Sequence, residues 1–224
     1  MIEEAISQLK RGKPILLYDF DGRESEVDMI IPASAISSEY ITLLRRDAGG
    51  MICYVIDGKI GKLLSLPFLG ELLNNSGFAH LRAMASKRMR YGDFPAFSIW
   101  VNYAGVRTGI SDEDRALTIR ELHKVAELAE MRENGDACNY LKDNFIAPGH
   151  VPILIARKLS ERHGHTEISV QLFKAAGLTP SLVLCEMLDA GKSLSLDKAR
   201  DYAKRHGLPL IEGKEVLERC SRLE

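Results

Sequence analysis

Short apolar runs and stretches of helical periodicity alternate along the entire chain, and this intermixing restricts the fold more than any other feature. Strands are predicted over residues 14–18, 29–32, 51–56, 96–101, 151–156 and 181–187, each an apolar or alternating run. Helical patterns lie between them. Ile2, Ala5, Ile6 and Leu9 recur at helical spacing ahead of Gly12, and Ser37 or Ser38 can cap a helix reaching Arg46 before Gly49 and Gly50 end it. Ser111, followed by Asp112, Glu113 and Asp114, makes a helix start whose carboxylates face the positive end of the helix dipole. That pattern runs towards Ala129. Further helices are predicted over 166–176, 196–205 and 214–219, whereas 132–144 reads as a polar connection and 57–93 gives no clear pattern. Neither a Gly/Ser linker nor an internal repeat separates these elements. One α/β (α+β) domain over residues 1–224 is the expectation.

Composition narrows the function classes. Lys plus Arg (30) and Asp plus Glu (31) almost cancel, which excludes a general attraction to nucleic acid or anionic membrane. No apolar run approaches the ~20 residues of a membrane span, and the early acidic residues Glu3 and Glu4 are unlike a signal peptide. Cys53, Cys138, Cys185 and Cys220 lie far apart without a CxxC pair, so neither a zinc knuckle nor a disulfide framework is indicated. A soluble, cytoplasmic protein is expected.

The connection between the first two strands carries the most chemistry. Residues 19–28 read Asp-Phe-Asp-Gly-Arg-Glu-Ser-Glu-Val-Asp, and Arg23 is the sole basic residue among the carboxylates Asp19, Asp21, Glu24, Glu26 and Asp28. Hard oxygen ligands gathered at a sheet edge suit Mg²⁺ or Mn²⁺, although a solvated acidic loop has the same composition.

Arg162-His163-Gly164-His165-Thr166-Glu167 precedes a predicted helix. Helix-start N–H groups, a glycine, an arginine and a threonine hydroxyl together suit a phosphate, while Thr166 equally suits a helix cap. His163 and His165 lie two apart, and one of them can serve a metal beside the acidic loop. Pro148-Gly149-His150 sets a titratable imidazole on a constrained turn, and Glu186 ends an apolar run where burial would raise its pKa; both are acid/base candidates. Thr108 sits between glycines ahead of a helix start. The basic stretch 80–90 lacks the interleaved aromatics of a nucleic-acid site and reads as a solvated helix face.

Taken in order, these segments resemble the 3,4-dihydroxy-2-butanone 4-phosphate synthase family of riboflavin biosynthesis. The matching stretches are DFDGRESEVD (19–28), GVRTGISDEDR (105–115), APGHV (147–151), RHGHTE (162–167) and LCEM (184–187), with DAGGMIC (47–53) agreeing as well. The resemblance reaches to about residue 212. It implies a mixed-sheet sandwich with flanking helices, and a lyase that converts D-ribulose 5-phosphate to L-3,4-dihydroxy-2-butanone 4-phosphate and formate. It also implies two divalent ions per site (Mg²⁺ or Mn²⁺), no organic cofactor, and a homodimer whose sites are shared across the interface. Carried over residue by residue, Glu24 and His165 are the metal ligands, His150 and Glu186 the proton-transfer pair, and Glu26 a catalytic residue of the acidic loop, either a supporting acid/base or a water-mediated ligand. Arg23 and Asp28 contact the sugar, Thr108 lines the site, and Arg162, His163, Gly164 and Thr166 surround the phosphate, with Glu186 close to the substrate. Ala147 and His163 depart from the family's usual residues. The two-domain relatives carry a GTP cyclohydrolase domain behind this one, so the resemblance is to the monofunctional form.

Two other readings compete. Ile15–Gly22 imitates the first motif of haloacid-dehalogenase-type phosphatases, with Asp19 as nucleophile and Asp21 as acid/base, but Arg23 follows where threonine or valine is usual. A sugar-phosphate-binding protein without turnover is the other.

Overall fold

The computed structural model describes residues 1–131 and 134–220. A seven-stranded mixed sheet is built from β1 (Ile15–Tyr18), β2 (Val27–Pro32), β3 (Cys53–Ile56), β4 (Phe97–Tyr103), β5 (Phe145–Ile155), β6 (Ser181–Glu186) and a last strand, Leu210–Glu212. Two-residue strands β7 (Leu188–Asp189) and β8 (Lys192–Ser193) form a separate hairpin, which makes the last strand β9. The order across the sheet is β4-β5-β3-β6-β2-β1-β9, with β3/β5 and β1/β9 parallel and the other pairs antiparallel.

Side-chain alternation divides the core between the two faces of the sheet. Leu16, Tyr18, Val27, Met29, Ile31, Tyr54, Ile56, Val183 and Cys185 join one buried cluster, and Ile15, Leu17, Ile30, Cys53, Val55, Leu182 and Leu184 join the other. Helices cover both faces. The first cluster packs α6 (Asp112–Glu130) and α7 (Asn134–Asn144), and the second packs α1 (Ile2–Lys10), α8 (His165–Ala175) and α10 (Gly213–Cys220). Helix α2 (Ser38–Leu43) runs into a wider turn over Leu44–Ala48, and α9 (Leu196–His206) packs near β1 and β9.

Three expectations are adjusted. Residues 132–144 were expected as a polar connection; 132–133 lie outside the described residues, and the rest forms α7. Its buried Ala137 and half-buried Cys138 and Leu141 face α6 among polar neighbours that obscure the periodicity. The patternless stretch after β3 contains three short helices, α3 (Gly58–Leu63), α4 (Leu69–Asn74) and α5 (Ala79–Ala85); the last two bury no residue fully, so no apolar stripe marks them. Strand β5 begins six residues before the predicted 151, because Phe145 and Ile146 pair with Tyr103 and Asn102 beyond a bulge. Among the described residues, no helix is long and apolar enough to cross a membrane.

Candidate active site

The second face of the sheet opens into a cavity of about 260 Å³, lined by Glu24, Glu26, Asp28, Arg162, His165, Thr166 and Glu186, with Cys53, Leu154 and Leu184 beneath and Met89, Tyr91 and Phe97 at the side. Its floor follows from strand register. Asp28 on β2 lies directly opposite Glu186 on β6, so both carboxylates stand on one face of neighbouring strands. Glu186 is held at both ends of the residue: its carbonyl accepts the Gly50 N–H (3.0 Å) and its Oε2 the Met51 N–H (2.8 Å). A Cβ at Gly50 would come within 2.5 Å of both Glu186 oxygens, so the approach requires glycine.

The acidic loop is organised by Asp19. This buried carboxylate accepts the N–H of Glu24 (3.1 Å), the N–H of Glu26 (3.0 Å) and Arg23 Nη1 (3.0 Å). Ser25, between those two amides, adopts φ 56°, a left-handed conformation that costs on the order of 1 kcal/mol. The charge-assisted bonds of Asp19 offset that cost. With both oxygens so engaged, Asp19 is a scaffold for the loop and not a free nucleophile.

His165 opens α8 and is buried. Its Nε2 lies 3.1 Å from the Glu26 carbonyl, which can only accept, so Nε2 carries a proton. Nδ1 faces Glu24 Oε2 (3.3 Å) and Asp28 Oδ2 (3.7 Å). Burial alone would lower the His165 pKa, but Asp28, Glu24 and Asp19 outweigh it and raise it to about 9. Burial pushes Asp28 up to about 7, against the pull of His165 and with the push of Glu186, Glu24 and Glu26. Glu24 goes the other way: burial would raise it, yet hydrogen bonds from His165 and Tyr91 and the charge of Arg23 hold it well below the usual range. An imidazole nitrogen facing two carboxylates calls for a positive charge between them, and Asp28 Oδ1 is buried without any hydrogen-bond partner. Asp19, Glu24 and His165 each offer one atom within 4.8 Å of the others; Asp19 is committed to the loop's amides, while Glu24 Oε2, which also pairs with Arg23, and His165 Nδ1 face each other. Hard oxygens with one imidazole fit a divalent cation.

Beside this cluster lies a cationic cradle. Helix α8 begins one residue earlier than expected, with Gly164 and not Thr166 at the cap, so Thr166 lines the cavity instead. Glu167, fully buried, binds Arg162 Nη1, the Gly164 N–H (3.1 Å) and the Arg157 N–H (2.9 Å). Arg23 reaches the cradle from the acidic loop, its Nη1 2.7 Å from Glu24.

Of the residues singled out in the sequence, Glu24, Glu26, Asp28, Arg162, His165, Thr166 and Glu186 share the cavity, and Arg23 and Gly164 pack beside it. Three stand elsewhere. His163 is exposed and outside the lining, while His150 and Thr108 meet at the sheet's β4 edge. There Asn102 accepts the His150 N–H (2.8 Å) and donates to the Thr108 carbonyl (3.4 Å). Sequence reading missed Asp19 as the loop's organiser, and also Glu167, Tyr91 and Asp93. The spacing of Glu167 from Gly164, three residues into a helix, was the one available signal.

Fold and cavity together define an α/β enzyme with an acid-and-imidazole cluster beside a paired-arginine pocket. The family model for 3,4-dihydroxy-2-butanone 4-phosphate synthase matches residues 3–219. The 3,4-dihydroxy-2-butanone 4-phosphate synthase of Methanosarcina acetivorans is 42% identical over 225 residues, which cover 97% of this chain and 90% of that protein. A solved 3,4-dihydroxy-2-butanone 4-phosphate synthase in complex with two magnesium ions superposes with TM-score 0.77 at 26% identity, covering 99% of this chain and 96% of that one. A two-domain 3,4-dihydroxy-2-butanone 4-phosphate synthase from A. baumannii gives TM-score 0.72 at 26% identity over 95% of this chain, which spans 55% of that longer chain. The chain belongs to the 3,4-dihydroxy-2-butanone 4-phosphate synthase family. The phosphatase and non-catalytic readings find no support in these similarities.

Proposed function

We propose that this chain, as one synthase domain in the cytoplasm, is a lyase that converts D-ribulose 5-phosphate to L-3,4-dihydroxy-2-butanone 4-phosphate and formate. The observation that carries the reading is the meeting of Glu24, Asp28, His165 and Glu186 with Arg162 and Thr166 in one cavity. Cys53, Cys138 and Cys185 are free thiols, in keeping with a reducing compartment.

Arg162, Thr166 and the Gly164 turn are the handle for the phosphate, whose binding energy orients the reacting carbons. Glu24 and His165 would hold Mg²⁺ or Mn²⁺, with a second ion close by. An ion held there would supply Lewis acidity for the substrate's carbonyl and hydroxyl oxygens. The unpartnered Oδ1 of Asp28 supports its role as a contact for the sugar hydroxyls, and Arg23, beside Arg162, contacts the end of the sugar that carries the phosphate. The substrate must lose a proton beside its carbonyl, eliminate water, migrate part of its skeleton, and take up one water again as it expels formate, so no water is lost overall. Glu186, fixed by the Met51 N–H, and Glu26, fixed by Ser193, are carboxylates with oxygens left to take and return protons through these steps. Tyr91 and Met89 close the cavity's side and help exclude water from reactive intermediates.

His150 and Thr108 complete the site of a second copy in a homodimer. Their place beside the edge strand β4, His150 on β5 and Thr108 in the loop after β4, with Trp100, Ile110 and Ile146 exposed nearby, supports that reading. His163, exposed beside the phosphate turn, is a peripheral contact. Incubating the protein with ribulose 5-phosphate and Mg²⁺ and following ¹H and ³¹P NMR tests the assignment. Formate and one new phosphomonoester are expected together; an unchanged spectrum from folded protein overturns it.

A further inference from the structure

Asp93 lies outside every segment that the sequence marked for chemistry, yet it stands between the two arginines of the cradle. Its Oδ2 accepts from Arg23 Nε (3.1 Å) and Nη2 (2.9 Å) and lies 3.8 Å from Arg162 Nε. That Arg162 nitrogen is buried and has no hydrogen-bond partner. The remaining contacts of both side chains are structural: Arg23 Nη1 is taken by Asp19 and Glu24, and Arg162 Nη1 by Glu167. The edges facing Asp93 are therefore the ones left for a ligand. The Arg23 edge reaches the start of α8, its Nη2 2.6 Å from where a Gly164 Cβ would be, and Arg162 packs against the same point through the Nη1 that Glu167 holds (2.5 Å), with its Nε turned to Asp93. Two guanidiniums and a helix start aimed at one place suit a doubly charged group with several acceptor oxygens, and one carboxylate oxygen satisfies them only in part.

Asp93 is also placed to leave. It ends a tight turn closed by Met89 N–H to the Asp93 carbonyl (2.9 Å) and Gly92 N–H to the Met89 carbonyl (2.9 Å), with Gly92 at φ 92°. Its side chain is 20% exposed, against 10% for Arg23 and 8% for Arg162, so a displaced carboxylate has water to enter.

We propose that Asp93 is a specificity-determining residue, an intramolecular occupant of the phosphate position that a dianion displaces and a monoanion does not. This rests on the reading of the cavity as a phosphate site. A phosphate brings about two charges and three acceptor oxygens and can engage both guanidiniums at once. A monoanion exchanges one carboxylate-like partner for another and must compete with a tethered group at high effective concentration. The occupant lowers the apparent affinity of every anion by the fraction of time it is seated.

The test is direct binding of inorganic phosphate at pH 8, and of formate as the monoanionic probe, to the wild-type chain, Asp93→Asn and Asp93→Ala, by titration calorimetry. Both variants are expected to bind phosphate about tenfold more tightly and to bind formate measurably where wild type does not. Unchanged or weaker phosphate binding in both folded variants overturns the proposal, as does formate binding that stays undetectable. The two readings fail separately. If wild type makes no formate from ribulose 5-phosphate yet the variants gain phosphate affinity, the reaction is misassigned and the role of Asp93 stands. If wild type makes formate and the variants gain nothing, the role of Asp93 falls alone.

Discussion

Gly164→Ala isolates the cradle's packing from its charge. The backbone at Gly164 (φ −89°, ψ 174°) is open to any residue, so the substitution adds no conformational strain. All of its effect comes from space: the new Cβ would meet Arg162 Nη1 at 2.5 Å, Arg23 Nη2 at 2.6 Å and Arg162 Cζ at 2.7 Å. Neither guanidinium swings freely, because Glu167 holds one and Asp19, Glu24 and Asp93 hold the other. Each must retreat by about 1 Å to reach ordinary contact distance. That displacement weakens one charge-assisted hydrogen bond to the phosphate, worth about 1.5–3 kcal/mol, or roughly 10–100-fold in kcat/KM, expressed mainly in KM. Steady-state formate release measures it. Gly70→Ala, a change in α4 with nothing within 4 Å, is the control and leaves KM unchanged. A Gly164→Ala enzyme whose KM stays within about twofold of wild type refutes the cradle geometry.

Other perturbations follow from the same geometry. Glu24→Gln and His165→Asn should each weaken Mn²⁺ binding, read by electron paramagnetic resonance without substrate, by about 10-fold or more; undiminished binding removes them as ligands. His150→Asn and Glu24→Gln are each expected to be inactive alone, and mixed subunits should regain activity if sites are shared between copies; mixtures that stay inactive while exchanging subunits contradict a shared site. Asp112 joins the turn after α2 to the start of α6 through Arg45 (3.0 Å), Thr42 (2.7 Å) and Arg115 (3.0 Å). Hydrogen bonds from Arg45 and Thr42, against some burial, hold its pKa down to about 2. A depressed folded-state pKa contributes stability in full above the unfolded value of about 3.9, and that contribution is lost as pH falls towards 2. Asp112→Asn should therefore lower Tm by a few degrees at pH 7, with the gap from wild type closing between about pH 4 and pH 2; a gap independent of pH over that window contradicts the ion-pair account.

The residues legible in the sequence are those whose chemistry is local. The acidic run 19–28 and the turn 162–167 announce themselves because consecutive residues carry the ligands, and the capped start of α6 at Ser111 is a local pattern too. What stayed hidden depends on distant pairing. Nothing in residues 28 or 186 says that β2 and β6 align them face to face; that follows from register set by the whole strand. Tyr91 and Asp93 follow a basic stretch read as a solvated helix face, and only the tertiary fold brings them over Arg23 (Arg23 Cζ 4.8 Å from the Tyr91 ring). Asp19 looked like a nucleophile by motif because a sequence does not show that its oxygens are already bonded to Glu24 and Glu26 amides. Helix α7 was masked by polar residues at positions that solvent, not the core, occupies.

Formate and inorganic phosphate, measured together from ribulose 5-phosphate for wild type and Glu24→Gln, with Mg²⁺ and with chelator, test the central claim most directly. The account predicts formate without inorganic phosphate from wild type, only with Mg²⁺, and neither product from the variant. Inorganic phosphate without formate, or formate that persists in chelator or in the variant, would contradict it.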